Sequence, residues 1–174
     1  MNLIVLGLFS LNKQGIAGAI YLMVGHGIVS SGLFFCVGVL YDRYRTRMIR
    51  YYGGLATVMP WFALYFLVFT LANMSFPGTA NFIGEFLIFV GVFSRSSLMT
   101  VLAGSGIVLS AVYSIWVYNR TVFGTTKTNY ITKYADLTPT EFLILTTLAV
   151  FTILLGVYAQ PILDYIEVVS SVKA

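Results

Sequence analysis

Phe76-Pro77-Gly78-Thr79-Ala80-Asn81-Phe82-Ile83-Gly84-Glu85-Phe86-Leu87-Ile88-Phe89-Val90 is an apolar segment with a helix-breaking pair at one end and a carboxylate in its middle. Glu85 is the only formal charge in the 44 residues from Tyr51 to Ser94. An ionisable group near the bilayer centre costs roughly 2.5–3.5 kcal/mol on insertion scales, so it persists where it faces a hydrated cavity, an ion path or a partner charge. Pro77 has no backbone N–H and Gly78 is conformationally permissive, so the chain turns or breaks there and frees backbone groups beside Ser75, Thr79 and Asn81. Irregular backbone at membrane depth must be buried in protein or line a cavity. From the break, a polar stripe leads along the next helix through Asn81, at i−4, to Glu85. The bland alternative is a plain interhelical turn with Glu85 snorkelling to lipid headgroups.

Composition names the solvent. The chain is 59% hydrophobic and 9% charged, with mean hydropathy +0.90, against about 25% charged in soluble domains. Uncharged runs cover 14–41, 51–84, 96–119 and 142–163, and a run of about 18 is enough for a spanning helix. Leu143-Ile144-Leu145 and 86–90 lack the alternation of a membrane barrel strand. The reading is an all-α integral membrane protein, one membrane domain over 1–174, with helices at 2–11, 14–40, 56–74, 79–94, 98–119 and 140–163. That is about five full transmembrane helices plus a partial first one of half the spanning length. With this helix count the 41–50 loop, Arg95 and the C-terminus share one face with six Lys/Arg, and the 12–13 and 120–139 loops, including Lys127 and Lys133, share the other with four. Six against four leaves orientation open. The net charge of +4 reads as loops near lipid headgroups, not as a nucleic-acid face.

His26 stands alone in the first long uncharged run, with Ser30 at i+4 and Gly25 and Gly27 thinning the helix around it. Imidazole carries a proton at physiological pH. A neutral core histidine donating one hydrogen bond is the competing reading, and the presence of Glu85 in the same small bundle brings a proton relay level with it. Arg43, Arg45, Arg47 and Arg50 read mainly as headgroup contacts at the membrane edge, with room for one inside. Gly106, Ser110 and Ser114, spaced by four, read as packing chemistry for a neighbouring helix. The single Cys36 excludes an internal disulfide and says nothing of compartment. No phosphate-binding loop, metal-spaced Cys/His set or Ser/His/Asp set is present, and one His and one Cys do not hold a haem or an iron–sulfur cluster. Ion movement is the chemistry these residues allow.

His26-Gly27-Ile28-Val29-Ser30-Ser31-Gly32-Leu33-Phe34-Phe35-Cys36-Val37-Gly38-Val39-Leu40-Tyr41-Asp42-Arg43, Thr46-Arg47, Gly53-Gly54-Leu55, Phe76-Pro77-Gly78-Thr79 and Gly84-Glu85-Phe86 resemble chain 4 of NADH:ubiquinone oxidoreductase, respiratory complex I. The likeness continues through Tyr113-Ser114, Asn119-Arg120, Phe123-Gly124 and Gly156-Val157-Tyr158 with Pro161. That family is similar to subunits of multisubunit cation/proton antiporters and is built of two inverted repeats with broken helices. The resemblance implies the second repeat of a proton-pumping membrane-arm subunit. It implies that Glu85 is the acid on the second broken helix and a terminal station of the proton path, that His26 lies on the central hydrophilic axis, and that Arg47 is a family arginine at the membrane edge. Pro77 and Gly78 would form the break. No cofactor is expected on this chain. NADH, FMN, iron–sulfur clusters and ubiquinone would belong elsewhere in the complex.

Only the C-terminal part of the family is matched, and the first repeat, with its glutamate and lysines, is absent. The start Met1-Asn2-Leu3-Ile4 lacks the basic region and cleavage site of a signal peptide. Met1 with a half-length first helix fits a gene split into pieces, a truncated product or a partial chain, and the split subunit is the expectation. A separate N-terminal chain would complete it, alongside other membrane-arm subunits and lipid, in the mitochondrial inner membrane or a bacterial plasma membrane. Charge shifts driven by quinone reduction would move the Glu85 proton between the central water chain and one aqueous face, with His26 as relay. The alternatives are a sodium or potassium/proton antiporter subunit, and a structural scaffold in which Glu85 only pairs with a neighbouring lysine.

Overall fold

The computed structural model describes residues 1–125 and 135–171, the last five of these in backbone only. Lys127, Lys133 and Lys173 lie outside the described residues. All regular structure there is helical: α1 Asn2–Phe9, α2 Lys13–Tyr44, a 3-10 turn at Ile49–Tyr51, α3 Leu55–Val58, α4 Pro60–Asn73, α5 Ala80–Phe93, α6 Ser97–Val122, α7 Pro139–Val157 and α8 Gln160–Ser171. Among the described residues, α2, α6 and α7 are the helices long and apolar enough to cross a membrane alone.

Their ends carry local signals. The Asn12 side chain accepts from Gln14 N at the start of α2, and Ser96 accepts from Met99 N at the start of α6. Thr138 and Glu141 form a reciprocal capping box on α7, with Pro139 in its first turn.

Three expected helices are cut differently. The span read at 56–74 is interrupted at Met59, because Pro60 disfavours helical backbone at the residue before it, and α4 restarts at the proline. The span read at 140–163 ends at Val157, and Pro161 sits in the first turn of α8. α2 runs four residues beyond the expected Leu40, as far as Tyr44.

The larger correction concerns α4 and α5. Each has 14 residues, about 21 Å, short of the ~30 Å hydrocarbon layer. They pack along α2 one after the other. Phe69 of α4 lies over Gly32, Asn81 of α5 over Gly25, and Gly91 of α5 over Gly15. Together they form one broken span antiparallel to α2, where the sequence reading had two full spans. A Cβ on Gly91 would lie 2.5 Å from Gly15 N, so the two backbones touch.

This merger redistributes the charges, moving Arg95 away from the 41–50 loop and Arg120 to it. Asn12 Nδ2 donates to Ser94 Oγ at 2.8 Å, which puts Arg95 at the same end as Lys13. At the other end Gly54 N donates to Phe123 O at 3.2 Å, and Arg43 meets Glu141. Among the described residues Arg43, Arg45, Arg47, Arg50 and Arg120 therefore share one end, hereafter the arginine end, and Lys13 and Arg95 share the other.

The core follows the same axis. Toward the arginine end Cys36, Leu55, Met59, Phe62, Phe69, Val122 and Leu145 form the main apolar cluster. Toward the other end Ile4, Ala19, Leu22, Ile88 and Val92 close α1 over α2 and α5. Tyr21 is buried beneath α8 with Ala159 and Ile166, and its hydroxyl donates to Leu155 O at the end of α7. The outer face of α6 (Val101, Val108, Leu109, Val112) stays exposed, as lipid-facing or partner-facing helices are.

Candidate functional site

The break between α4 and α5 is where the backbone leaves its ladder. Ser75 has φ 57° and Gly78 has φ 93°, with Pro77 between them. Glycine adopts this left-handed region without strain, and serine at some cost. Asn81, 2% exposed, reaches back across the break, where its Nδ2 donates at 3.1 Å to the Ala72 carbonyl, which also accepts from Ser75 N. Thr79 donates its hydroxyl to Phe76 O at 2.8 Å. The two half-helices are thus tied together by side chains, and α5 leaves the break with Glu85 in its second turn.

Glu85 faces a half-open cavity of about 560 Å³ walled by α1, α2, α5, α6 and the end of α4. His26 of α2 lines the same cavity, so the two residues singled out in the sequence meet at one site. Asn81 and Asn73 line it from the break, Ser110 and Tyr113 from α6, and Asn2 from α1. Among the described residues Glu85 makes no ion pair. The polar part of the cavity wall around it is amides, hydroxyls, the imidazole and Met1, set among apolar side chains. The Asn81 Oδ1 and Ser75 Oγ atoms beside this site are buried without a hydrogen-bond partner. Pro77 and Gly78 are exposed on the outer side of the break and do not line the cavity.

Of the α6 stripe, Ser114 is buried in the bundle and the other two members face the cavity. Gly106 and Ser110 line the Glu85 cavity, and a Cβ on Gly106 would meet nothing within 4 Å, so no neighbouring helix packs there among the described residues. The four-residue spacing was legible in the sequence. It is as good a signal for a cavity wall as for a packing seam. Ser30 donates to Gly27 O within its own helix and is absent from this cavity. Arg47 is exposed at the arginine end with its guanidinium 4.9 Å from the Tyr41 ring centroid, far along α2 from His26.

The arginine that lies inside is Arg43. Its Nη1 and Nη2 donate to both Glu141 oxygens at 3.0 and 2.7 Å, Nε to Ala135 O at 2.9 Å and Nη2 also to Asp136 O at 2.9 Å. The side chains are 12% and 18% exposed. Asp136 in turn accepts from Trp61 N and Phe62 N at the start of α4. This network ties α2, α4 and α7 at one end, and the sequence held no local signal for it because the partners lie 98 positions apart. In the nearby connection Tyr52 donates to Thr46 O at 2.6 Å, and burial pushes its phenol up to about 12. Among the described residues no group of His, Cys, Asp and Glu is arranged to hold a metal ion.

Residues 1–112 match the family described as NADH:quinone oxidoreductase/Mrp antiporter, TM. The chain is 56% identical over 164 residues to NADH-ubiquinone oxidoreductase chain 4 of Marchantia polymorpha, covering 94% of this chain and 33% of the relative. It is 45% identical over 166 residues to NADH-quinone oxidoreductase subunit M of Rhodobacter capsulatus, covering 95% and 32%. The chain thus spans about a third of the length of these curated relatives. A chain in the structure of respiratory complex I from Thermus thermophilus with bound NADH superposes with a TM-score of 0.85 at 29% identity, over 94% of this chain and 36% of that one. The Mrp complex of a Dietzia species shares the fold, with a TM-score of 0.82 at 16% identity over 94% and 38%. The site and the broken span are therefore those of a membrane helix bundle that belongs to the NADH:quinone oxidoreductase/Mrp antiporter transmembrane family.

Proposed function

We propose that this chain is a segment of a membrane-arm subunit of respiratory complex I and takes part in proton translocation coupled to NADH oxidation and ubiquinone reduction. The observation that carries the reading is the shared cavity, in which Glu85 beside a helix break and His26 on the facing helix open onto one polar space. Glu85 takes up and releases the proton and His26 relays it. Asn81 holds the break in register through Ala72. The chain supplies no redox chemistry. NADH, FMN, iron–sulfur clusters and ubiquinone belong to other subunits, and the remaining repeat is supplied by the part of the subunit that this third of its length does not include. The setting is the mitochondrial inner membrane, a reading supported by the plant relatives' chain 4, while the Rhodobacter relative keeps the bacterial plasma membrane as the counterpart.

Glu85→Gln keeps the shape and removes the charge. In the assembled complex in sealed vesicles it is expected to retain NADH oxidation while lowering the proton-to-electron ratio. Unchanged pumping would remove Glu85 from the path. The Mrp fold likeness favours one second reading, a cation/proton antiporter subunit working without a dehydrogenase. Under that reading the chain migrates apart from NADH dehydrogenase activity. If Glu85 were only a scaffold partner, Glu85→Gln would instead impair assembly.

A further inference from the structure

The space at Glu85 does not stop at Asn73 and Tyr113. Both residues also line a second cavity, of about 290 Å³, between α2, α4 and α6. Its other polar walls are Ser30, Thr70 and Ser114. It follows α2 from Ser30 to Val37, α4 from Thr70 back to Phe66 and α6 from Ser114 to Val117, so it runs toward the arginine end and ends among apolar side chains, open along one side where Phe34 and Tyr113 are exposed.

The polar groups there are only half used. The Thr70 hydroxyl donates to Phe66 O at 2.6 Å and Ser30 to Gly27 O at 3.3 Å, leaving both oxygens free to accept. Ser114 is 5% exposed and its Oγ is buried with no hydrogen-bond partner. The Tyr113 phenol lies by Asn73, Ser110 and Ser114, at the junction of the two spaces. A purely apolar cavity stays dry, whereas one with several unsatisfied polar groups and room for a few molecules holds water. An unpartnered buried hydroxyl in a native fold calls for the same explanation.

We infer that the α2–α4–α6 cavity is a water-filled branch of the Glu85 cavity, entered past Asn73 and Tyr113, with water hydrogen-bonded to Ser114, Thr70 and Ser30. The branch extends the hydrated surroundings of Glu85 toward the arginine end and stops short of it at Phe34, Val37, Phe66 and Val117. It deepens the proton-path reading and rests on it, since that reading already requires water at Glu85.

The test is thiol accessibility in the assembled, membrane-embedded complex carrying Cys36→Ala, which removes the one native thiol. Ser114→Cys probes the branch and Ser110→Cys the Glu85 cavity. Leu109→Cys probes the exposed apolar face of α6. A small water-soluble methanethiosulfonate reacts with the thiolate, which forms where water reaches it and is suppressed in apolar surroundings. Ser110→Cys and Ser114→Cys are expected to react at least about tenfold faster than Leu109→Cys. Adding Tyr113→Trp, which fills the junction, is expected to slow Ser114→Cys and leave Ser110→Cys unchanged. A reactive Ser110→Cys with an unreactive Ser114→Cys overturns the branch and leaves the proton-path reading standing. An unreactive Ser110→Cys means a dry site at Glu85 and overturns both. Labelling of Ser114→Cys that ignores Tyr113→Trp overturns the connection. Ser30→Cys reads the same branch from α2 if Ser114→Cys fails to assemble.

Discussion

Arg43 and Asn81 show what single side chains do here. Arg43 is held by Glu141 in a fork that matches guanidinium to carboxylate, with the backbone carbonyls of Val39, Ala135 and Asp136 taking further donors. Lysine offers a point charge without the fork. Arg43→Lys and Glu141→Gln are each expected to lower the stability of the assembled protein by about 1–3 kcal/mol, read as a lower thermal inactivation temperature. An unshifted temperature would show the pair to be ornamental. Asn81→Leu keeps the volume but removes the side-chain bond that ties α5 to α4 across the break, leaving Ala72 O only its bond from Ser75 N, for an expected loss of about 0.5–1.5 kcal/mol in the same assay. At this scale Glu85 and His26 were legible because a titratable group in an apolar run is conspicuous. Arg43 was not, because four arginines within eight positions look alike until one of them finds its carboxylate in three dimensions.

At the scale of elements, the break between α4 and α5 governs the site. Gly78, at φ 93°, occupies backbone that a Cβ disfavours, so Gly78→Ala is expected to cost about 1–2 kcal/mol. Ser75→Gly, at φ 57°, relieves the same strain and is expected to be neutral or mildly stabilising. Paired thermal melts check both, and equal behaviour of the two would refute the argument from backbone strain. Gly91→Val thrusts side-chain atoms into the α2 backbone, where a Cβ alone would lie 2.5 Å from Gly15 N, and is expected to abolish assembly as seen on a native gel. The Pro-Gly break itself was readable from residue chemistry. That α4 and α5 are two halves of one span was not, because each half is apolar and hydropathy does not record whether the chain reverses direction.

At the scale of the molecule, merging those halves changes the topology. Among the described residues five arginines at one end stand against Lys13 and Arg95 at the other, an asymmetry that by the positive-inside rule favours the arginine end as the inner side of the membrane. Arg45→Cys is expected to be labelled by an impermeant reagent from that side alone, and labelling from the opposite side would invert the topology. On the complex I reading, the chain is expected to comigrate with NADH dehydrogenase activity in a mild-detergent native gel. Migration elsewhere favours the antiporter or scaffold readings.

The amino-acid sequence by itself determined the solvent, the helical class, the position of the break and the two titratable side chains set within apolar runs, because each follows from local chemistry: apolar run length, a missing N–H, an ionisable group far from water. Only the tertiary structure decided that Glu85 and His26 share one cavity, that Gly106, Ser110 and Tyr113 wall it, that α4 and α5 make a single span, and that Arg43 is the arginine inside. Each of these depends on which helix faces which, and that is set by backbone contact at Gly15 and Gly91 and by hydrogen bonds between residues far apart in the chain.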